Sequence, residues 1–134
     1  MAAGNALPHL VYTHRYIRQP PNGWLLSGNA VNMAHMLSVQ MAAMYLNVYN
    51  GAGERGALVY TPGTQSANAA GFATVNALLT EANTELAVHG VVLAGDPNRT
   101  YQEALKNAFD KANNNTTFVQ PPGTCPVSFT CSNP

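Results

Sequence analysis

One stretch without charge limits the fold of this chain more than any other feature. From Gln19 to Gly53 the sequence contains no Asp, Glu, Lys or Arg. Inside that interval, "VNMAHMLSVQMAAM" (31–44) places four methionines and one histidine in fourteen positions. The stretch predicts a helix that starts after Ser27 or Asn29, both good N-caps, and runs to Tyr49. Because it is apolar nearly all round, we expect this helix to be the central, buried element.

The methionines of this helix suggest either a copper site or a hydrophobic core. A copper site needs thioether and imidazole ligands that converge. At about 100° per residue, His35 lies about 200° from Met33 and therefore almost opposite it. The sequence thus favours core packing, and no cofactor is expected; a soft-metal site at Met33, His35 and Met36 is the alternative. The apolar face also contains further residues: Leu37, Met41, Met44 and Val48.

Three amides on this helix need hydrogen-bond partners if they are buried, because an unsatisfied amide costs about 1–3 kcal/mol. They are Asn32, Gln40 and Asn47. We expect them to bind the backbone of the long connection 51–71. Within that connection, "ALVYTPG" predicts a short extended piece followed by a turn.

Two further helices follow from the apolar spacing. The second runs from Phe72 or Thr74 to His89, and the third opens with a capping box, Thr100-x-x-Glu103, and ends near residue 112. We predict one mainly α domain over 1–134, a small bundle of about three helices around the Met-rich helix. It has long irregular connections, at most short β pieces, an irregular N-terminal arm (1–23) and a Pro/Cys-rich tail (118–134).

The charge content excludes some partners. Charged residues make up 9% of the chain, against about a quarter in typical soluble proteins, and six cationic side chains balance six anionic ones. No net field attracts nucleic acid or anionic lipid, and no apolar run is long enough to span a bilayer. A neutral surface lacks self-repulsion, which favours association with copies of itself or with an extracellular matrix or glycan.

Candidate chemistry is sparse. Glu81, Glu85 and His89 are spaced at i, i+4 and i+8 on the second helix, which stacks two carboxylates and an imidazole along one stripe. They are weak candidates for acid/base catalysis, and the alternative is a solvated face with a Glu85–His89 pair. The catalytic hypothesis requires a carboxylate or histidine from another segment within hydrogen-bond reach.

The N-terminal arm holds a second candidate, a ligand-binding patch. On an extended strand His14, Tyr16 and Arg18 share a face, with Trp24 nearby. Aromatic rings beside amides and arginines suit an anionic or sugar ligand. Ordinary surfaces have the same composition, so both interpretations stay open.

The cysteines indicate a compartment. Cys125 and Cys131 lie close together in the tail, and the five residues between them are enough to close a small disulfide loop. A disulfide indicates an oxidising environment, and two free thiols are the alternative. Residues 1–5 have no basic start and no apolar core, so a signal peptide, if there was one, has been removed.

From Trp24 onward the chain resembles a family of secreted or surface-anchored bacterial domains. The matching segments are "WLLSGNAVNMAHMLSVQMAAMYLNVYNG", "YTPG…SANAAGFATVNALL" and "LAGDPNRTYQEALKNAFDKANNNTTFVQP". The N-terminal arm and Cys131 depart from the family pattern. The resemblance implies a module of large extracellular proteins, beside adhesive or cell-wall-anchoring segments, and it implies no catalytic residues.

These observations together favour a non-enzymatic structural or adhesive module, extracellular or at the cell surface, which self-assembles into a fibre, matrix or surface layer. The tail from Phe118 to Pro134 is the segment we expect to reach a neighbour. The alternatives are a small secreted enzyme that acts on polysaccharide and a secreted protein that binds copper or another metal.

Overall fold

The computed structural model describes residues 28–119. In that part, three helices and one antiparallel strand pair confirm the mainly α fold with short β pieces. The elements, in chain order, are α1 (Met33–Tyr49), β1 (Leu58–Tyr60), β2 (Phe72–Thr74), α2 (Val75–Val88) and α3 (Arg99–Asn113).

The first helix begins later than the sequence predicted. Its N-cap is Asn32, whose Oδ1 accepts a hydrogen bond from the backbone N–H of Ala34. Asn29 instead accepts from Val31 N–H, within the turn that precedes the helix. The predicted starts after Ser27 or Asn29 are therefore wrong, because the asparagine nearest the apolar run satisfies the first free amide. The predicted end is confirmed, since Tyr49 is the last helical residue.

The core lies between one face of α1 and the facing sides of α2 and α3. Leu37, Met41 and Met44 are each at most 1% exposed. The outer side of the helix is different, because Leu46 is 45% and Tyr49 89% exposed. The expectation of a helix buried all round is thus wrong for that side. The partners of the methionine face in the core include Leu78, Leu79 and Leu86 of α2 and Leu105, Ala108 and Phe109 of α3.

The amides of α1 are satisfied by other partners than predicted. Asn32 Oδ1 also accepts from Val92 N–H, in the α2–α3 connection. Asn113, in the last turn of α3, donates to both the backbone oxygen and the Oε1 of Gln40 and accepts from Asn47 Nδ2. The predicted contacts of these three side chains with the 51–71 backbone are therefore wrong. Because Arg99 at the start of α3 binds Ala30 O and Asn113 binds the middle of α1, the two helices run in the same direction.

The strand pair forms a small platform that leads directly into α2. Leu58 lies opposite Thr74 and Tyr60 opposite Phe72, and Val59 forms a further antiparallel bridge with Phe118. Thr74 is the last strand residue and also the N-cap of α2, where its side chain accepts from Ala77 N–H. The extended piece and the turn predicted in "ALVYTPG" are confirmed.

The third helix begins without the predicted capping box. Asn98 is its N-cap and makes no side-chain cap bond, while Asp96 Oδ1 accepts from Asn98 N–H. Thr100 lies inside the helix, so the predicted capping box is wrong. Between residues 28 and 119 no helix is long and apolar enough to cross a membrane.

Candidate functional site

The polar row predicted on α2 lies against α3 and the 61–71 loop. Glu81, Glu85 and His89 border an open depression of about 550 Å³. The hydroxyls of Thr80 and Thr84 lie along the same side of α2 but donate back to the helix carbonyls four residues earlier. The other lining residues are Gln65, Ser66, Ala77, Val88 and Tyr101.

Glu81 holds the loop on the helix. Its Oε1 accepts from Gln65 N–H and its Oε2 from Ser66 N–H, both at 2.7 Å. The Tyr101 hydroxyl donates to Oε1 at 2.6 Å. Both carboxylate oxygens are thus occupied by donors from the protein. Bonds to a charged acceptor contribute about 1.5–3 kcal/mol each, so Glu81 is a strong structural contact.

Tyr101 is a persistent donor to this carboxylate. Burial, followed by the hydrogen bond to Glu81 and the charges of Glu81 and Glu85, raises the pKa of the Tyr101 phenol well above its usual value of about 10. The phenol therefore remains protonated across the physiological pH range and keeps donating to Glu81.

Glu85, His89 and Gln102 form a second polar contact between α2 and α3. His89 Nδ1 lies 2.9 Å from Glu85 Oε1, which confirms the pair predicted from the i, i+4 spacing. Gln102 is completely buried, and its Nε2 donates to Glu85 Oε1 and to the backbone oxygen of His89. The amide thus links the end of α2 to the first turn of α3 by hydrogen bonds. Its Oε1 is buried and makes no bond within the described residues.

In the described residues, Glu81 and Glu85 connect α2 to α3 and to the 61–71 loop. The catalytic hypothesis required a carboxylate or histidine from another segment beside Glu85 or His89, and α3 supplies the amide of Gln102 instead. Glycoside hydrolysis commonly uses two available carboxyl groups, whereas both oxygens of Glu81 already bind the loop and Tyr101. In the described part of the chain no group of three or more His, Cys, Asp or Glu is placed to hold a metal ion.

The methionines proposed as soft-metal ligands face the interior. Met33 is 5% exposed and belongs to the core, and Met36 packs against that core beside Gly28. His35 is half-buried. Core packing of these methionines is confirmed, and metal binding at Met33, His35 and Met36 stays a prediction.

The remaining sequence candidates lie outside residues 28–119. They are the ligand patch of His14, Tyr16, Arg18 and Trp24 and the cysteine pair Cys125 and Cys131. Sugar binding at the patch and the disulfide both stay predictions.

Sequence reasoning missed two side chains and two backbone donors of this site. Gln102 was detectable, because it shares the spacing of Leu105, Phe109 and Ala112 and so places an amide on the apolar stripe of α3. Tyr101 shares the spacing of the apolar residues Ala104, Leu105 and Ala108, and its hydroxyl contact with Glu81 depends on how α2 and α3 are placed. The backbone donors of Gln65 and Ser66 carry no sequence signal, since every non-proline residue has an N–H.

The chain matches no protein-family model, no curated protein and no solved structure.

Proposed function

We propose that this chain is a non-enzymatic extracellular module, structural or adhesive, that assembles through contacts with copies of itself. The observation that carries the proposal is an exposed apolar patch, the end patch, formed by Val31, Val91 and Leu93. These side chains are 68%, 67% and 49% exposed. An extracellular setting is supported by the resemblance to surface-anchored bacterial domains and by the low charge of the chain.

The end patch is continuous because two segments are joined there. Met33 N–H donates to Val92 O, and Val92 N–H donates to Asn32 Oδ1. Residues 31–33 and 91–93 therefore lie side by side, with their neighbouring valines and leucine at the surface. The patch lies where α1 and α3 begin.

Arg99 borders the end patch and binds backbone oxygens there. The Arg99 guanidinium donates to Ala30 O at 2.6 Å and to Val31 O at 3.3 Å. Its hydrogen-bonding capacity is partly used within the fold, which lowers the cost of covering it with an apolar partner. The equal numbers of positive and negative side chains in the chain leave no net repulsion between two copies.

Sedimentation velocity over a wide concentration range tests the proposal. The native chain is expected to form dimers or larger species as its concentration rises, and Val91→Asp to shift that transition to at least tenfold higher concentration. Tyr49→Asp is the matched control, because Tyr49 is 89% exposed on the outer side of α1, away from the patch. A chain that stays monomeric throughout, or one in which both variants behave alike, would contradict assembly through the end patch.

Two assays separate the alternatives from this proposal. A polysaccharide-directed enzyme predicts release of reducing ends that Glu85→Gln abolishes. A copper carrier predicts stoichiometric Cu(I) in the purified protein, lost in Met36→Leu.

Extracellular location predicts that the chain is recovered from the medium or cell envelope of the producing cells.

A further inference from the structure

A second apolar surface lies on the strand platform. Leu58 and Tyr60 are 42% and 43% exposed, while Val59 between them is fully buried. The register places Phe72 opposite Tyr60, and the two rings lie 5.3 Å apart. Side chains alternate along a strand, so Leu58, Tyr60 and Phe72 share the face of the pair that points away from the core.

The last described residue extends the same face. Phe118 pairs with Val59 and packs against the core. Its neighbour Val119 therefore points the opposite way, and it is 47% exposed. Val119 N–H donates to Leu58 O and Tyr60 N–H to Thr117 O, so residues 117–119 act as a third strand. We call Leu58, Tyr60, Phe72 and Val119 the outer face.

Beside the outer face lies a small depression. It has a volume of about 210 Å³ and separates Tyr60 from α3. Pro62, Ala104 and Ala108 contribute apolar lining, with Asn107 and Lys111 at its polar side. The outer face therefore offers a flat apolar surface and one recess next to it.

The sequence that follows Val119 matches this surface. Pro122-Gly123 is the residue pair that type II turns favour at their two central positions, and such a turn would reverse the chain direction. In the next residues, apolar side chains alternate with small or polar ones: Cys125, Val127, Phe129 and Cys131 are interleaved with Pro126, Ser128 and Thr130. That period of two is typical of a strand with one apolar side.

We propose that the outer face is the docking site of the chain's own segment 124–131, with Val127 and Phe129 against Leu58, Tyr60 and Val119. The segment is tethered at the edge of the face, so its local concentration there is high. Its eight residues reach about 25 Å when extended, whereas three strands span about 10 Å. Residues 120–134 contain no charged side chain, so docking leaves no charge without water.

This docking conflicts with the disulfide predicted from the sequence. The six residue-to-residue steps from Cys125 to Cys131 separate their Cα atoms by about 20 Å in an extended chain, whereas a disulfide requires about 4.4–6.8 Å. Cys125 and Cys131 on a docked strand are therefore thiols. Docking within one chain also differs from the expectation that the tail reaches a neighbouring molecule.

Nuclear magnetic resonance of the full chain tests the proposal. Phe129→Ala is expected to shift the amide resonances of Leu58, Tyr60 and Val119 several-fold more than the matched control Ser128→Ala, whose side chain lies on the other side of the segment. Mass spectrometry after alkylation is expected to find both cysteines reduced. The reciprocal substitution, Leu58→Ala on the outer face, is expected to shift the amide resonances of Val127 and Phe129.

Three results would overturn it. Equal or absent shifts at the outer face in the two tail variants would show that the segment does not cover it. A Cys125–Cys131 disulfide in the native protein would exclude the extended segment. Contacts between Phe129 and the outer face that disappear on dilution to the monomer would assign the tail to a second copy of the chain.

Discussion

The hydroxyl of Tyr101 on α3 donates a 2.6 Å hydrogen bond to Oε1 of Glu81 on α2. The same carboxylate receives the backbone N–H groups of Gln65 and Ser66. One side chain thus connects two helices and the 61–71 loop. Glu81, which the sequence offered as a catalytic candidate, thus binds both the loop and the neighbouring helix.

Removing the charge of Glu81 should destabilise the protein. In Glu81→Gln the amide replaces one acceptor oxygen with a donor, which faces a backbone N–H. We expect a loss of about 2–4 kcal/mol in the free energy of unfolding, measured by urea denaturation. Amide hydrogen exchange at residues 65 and 66 should accelerate. Glu103→Gln, on an exposed position of α3, is the control and should change stability by less than about 0.5 kcal/mol. Equal effects of the two substitutions would disprove this role of Glu81.

The raised pKa of Tyr101 predicts a dependence of stability on alkaline pH. Because the folded-state pKa is higher than the unfolded value of about 10, the folded protein binds more protons above that pH. The contribution of this phenol to stability is therefore complete below pH 10 and is lost as the pH rises through the folded-state pKa. Tyr101→Phe should lower stability by about 1–2 kcal/mol at neutral pH, and its deficit relative to the native chain should shrink above pH 10.

The measurement for Tyr101 is urea unfolding at several pH values between neutrality and strong alkali. Tyr49→Phe is the control, since that side chain is 89% exposed. A deficit of Tyr101→Phe that is constant with pH would contradict the assignment.

Gly71 should tolerate no side chain. Its φ is +86°, and a Cβ there would lie 2.6 Å from Cε2 of Tyr60. Gly71→Ala is expected to lower the free energy of unfolding, measured by thermal or urea denaturation, by about 1–3 kcal/mol, because the backbone conformation is unfavourable for alanine. Adding Tyr60→Ala to this variant should remove the clash with the ring and recover only that share of the lost stability, since the unfavourable φ at residue 71 remains.

Gly56 provides the comparison for Gly71. A Cβ at Gly56 meets no atom within 4 Å. Gly56→Ala should leave stability unchanged or raise it by up to about 1 kcal/mol. If Gly71→Ala were equally mild, the turn before β2 would have to adopt another conformation.

Asn113 should couple α3 to α1. Its side chain binds Gln40 through Nδ2 and Asn47 through Oδ1. Asn113→Ala is expected to cost about 1–3 kcal/mol, and a double-mutant cycle with Asn47→Ala should give a coupling energy of about 0.5–3 kcal/mol. Asn76→Ala, at an exposed position of α2, is the control. A coupling energy near zero would mean that the two amides do not stabilise each other.

Much of the fold was predictable because it depends on local patterns. The apolar spacing located the end of α1 at Tyr49. The predicted start of the second helix at Phe72 is wrong, because Phe72–Thr74 is β2, and Thr74 is the N-cap one residue before the helix begins. Errors concentrated at helix starts, where several capping residues compete. At α1 the cap is Asn32 and not the predicted Ser27 or Asn29, and Asn32 also accepts a hydrogen bond from Val92 N–H, sixty residues away.

For the candidate site, the sequence by itself determined that Glu81, Glu85 and His89 share one side of a helix, since helical periodicity is a local property. Only the tertiary structure decided what they contact. Tyr101 and the loop amides reach Glu81, and the buried amide of Gln102 reaches Glu85, because α3 and the 61–71 loop fold against α2. Such contacts depend on the relative placement of distant segments, and spacing along one helix contains no information about them.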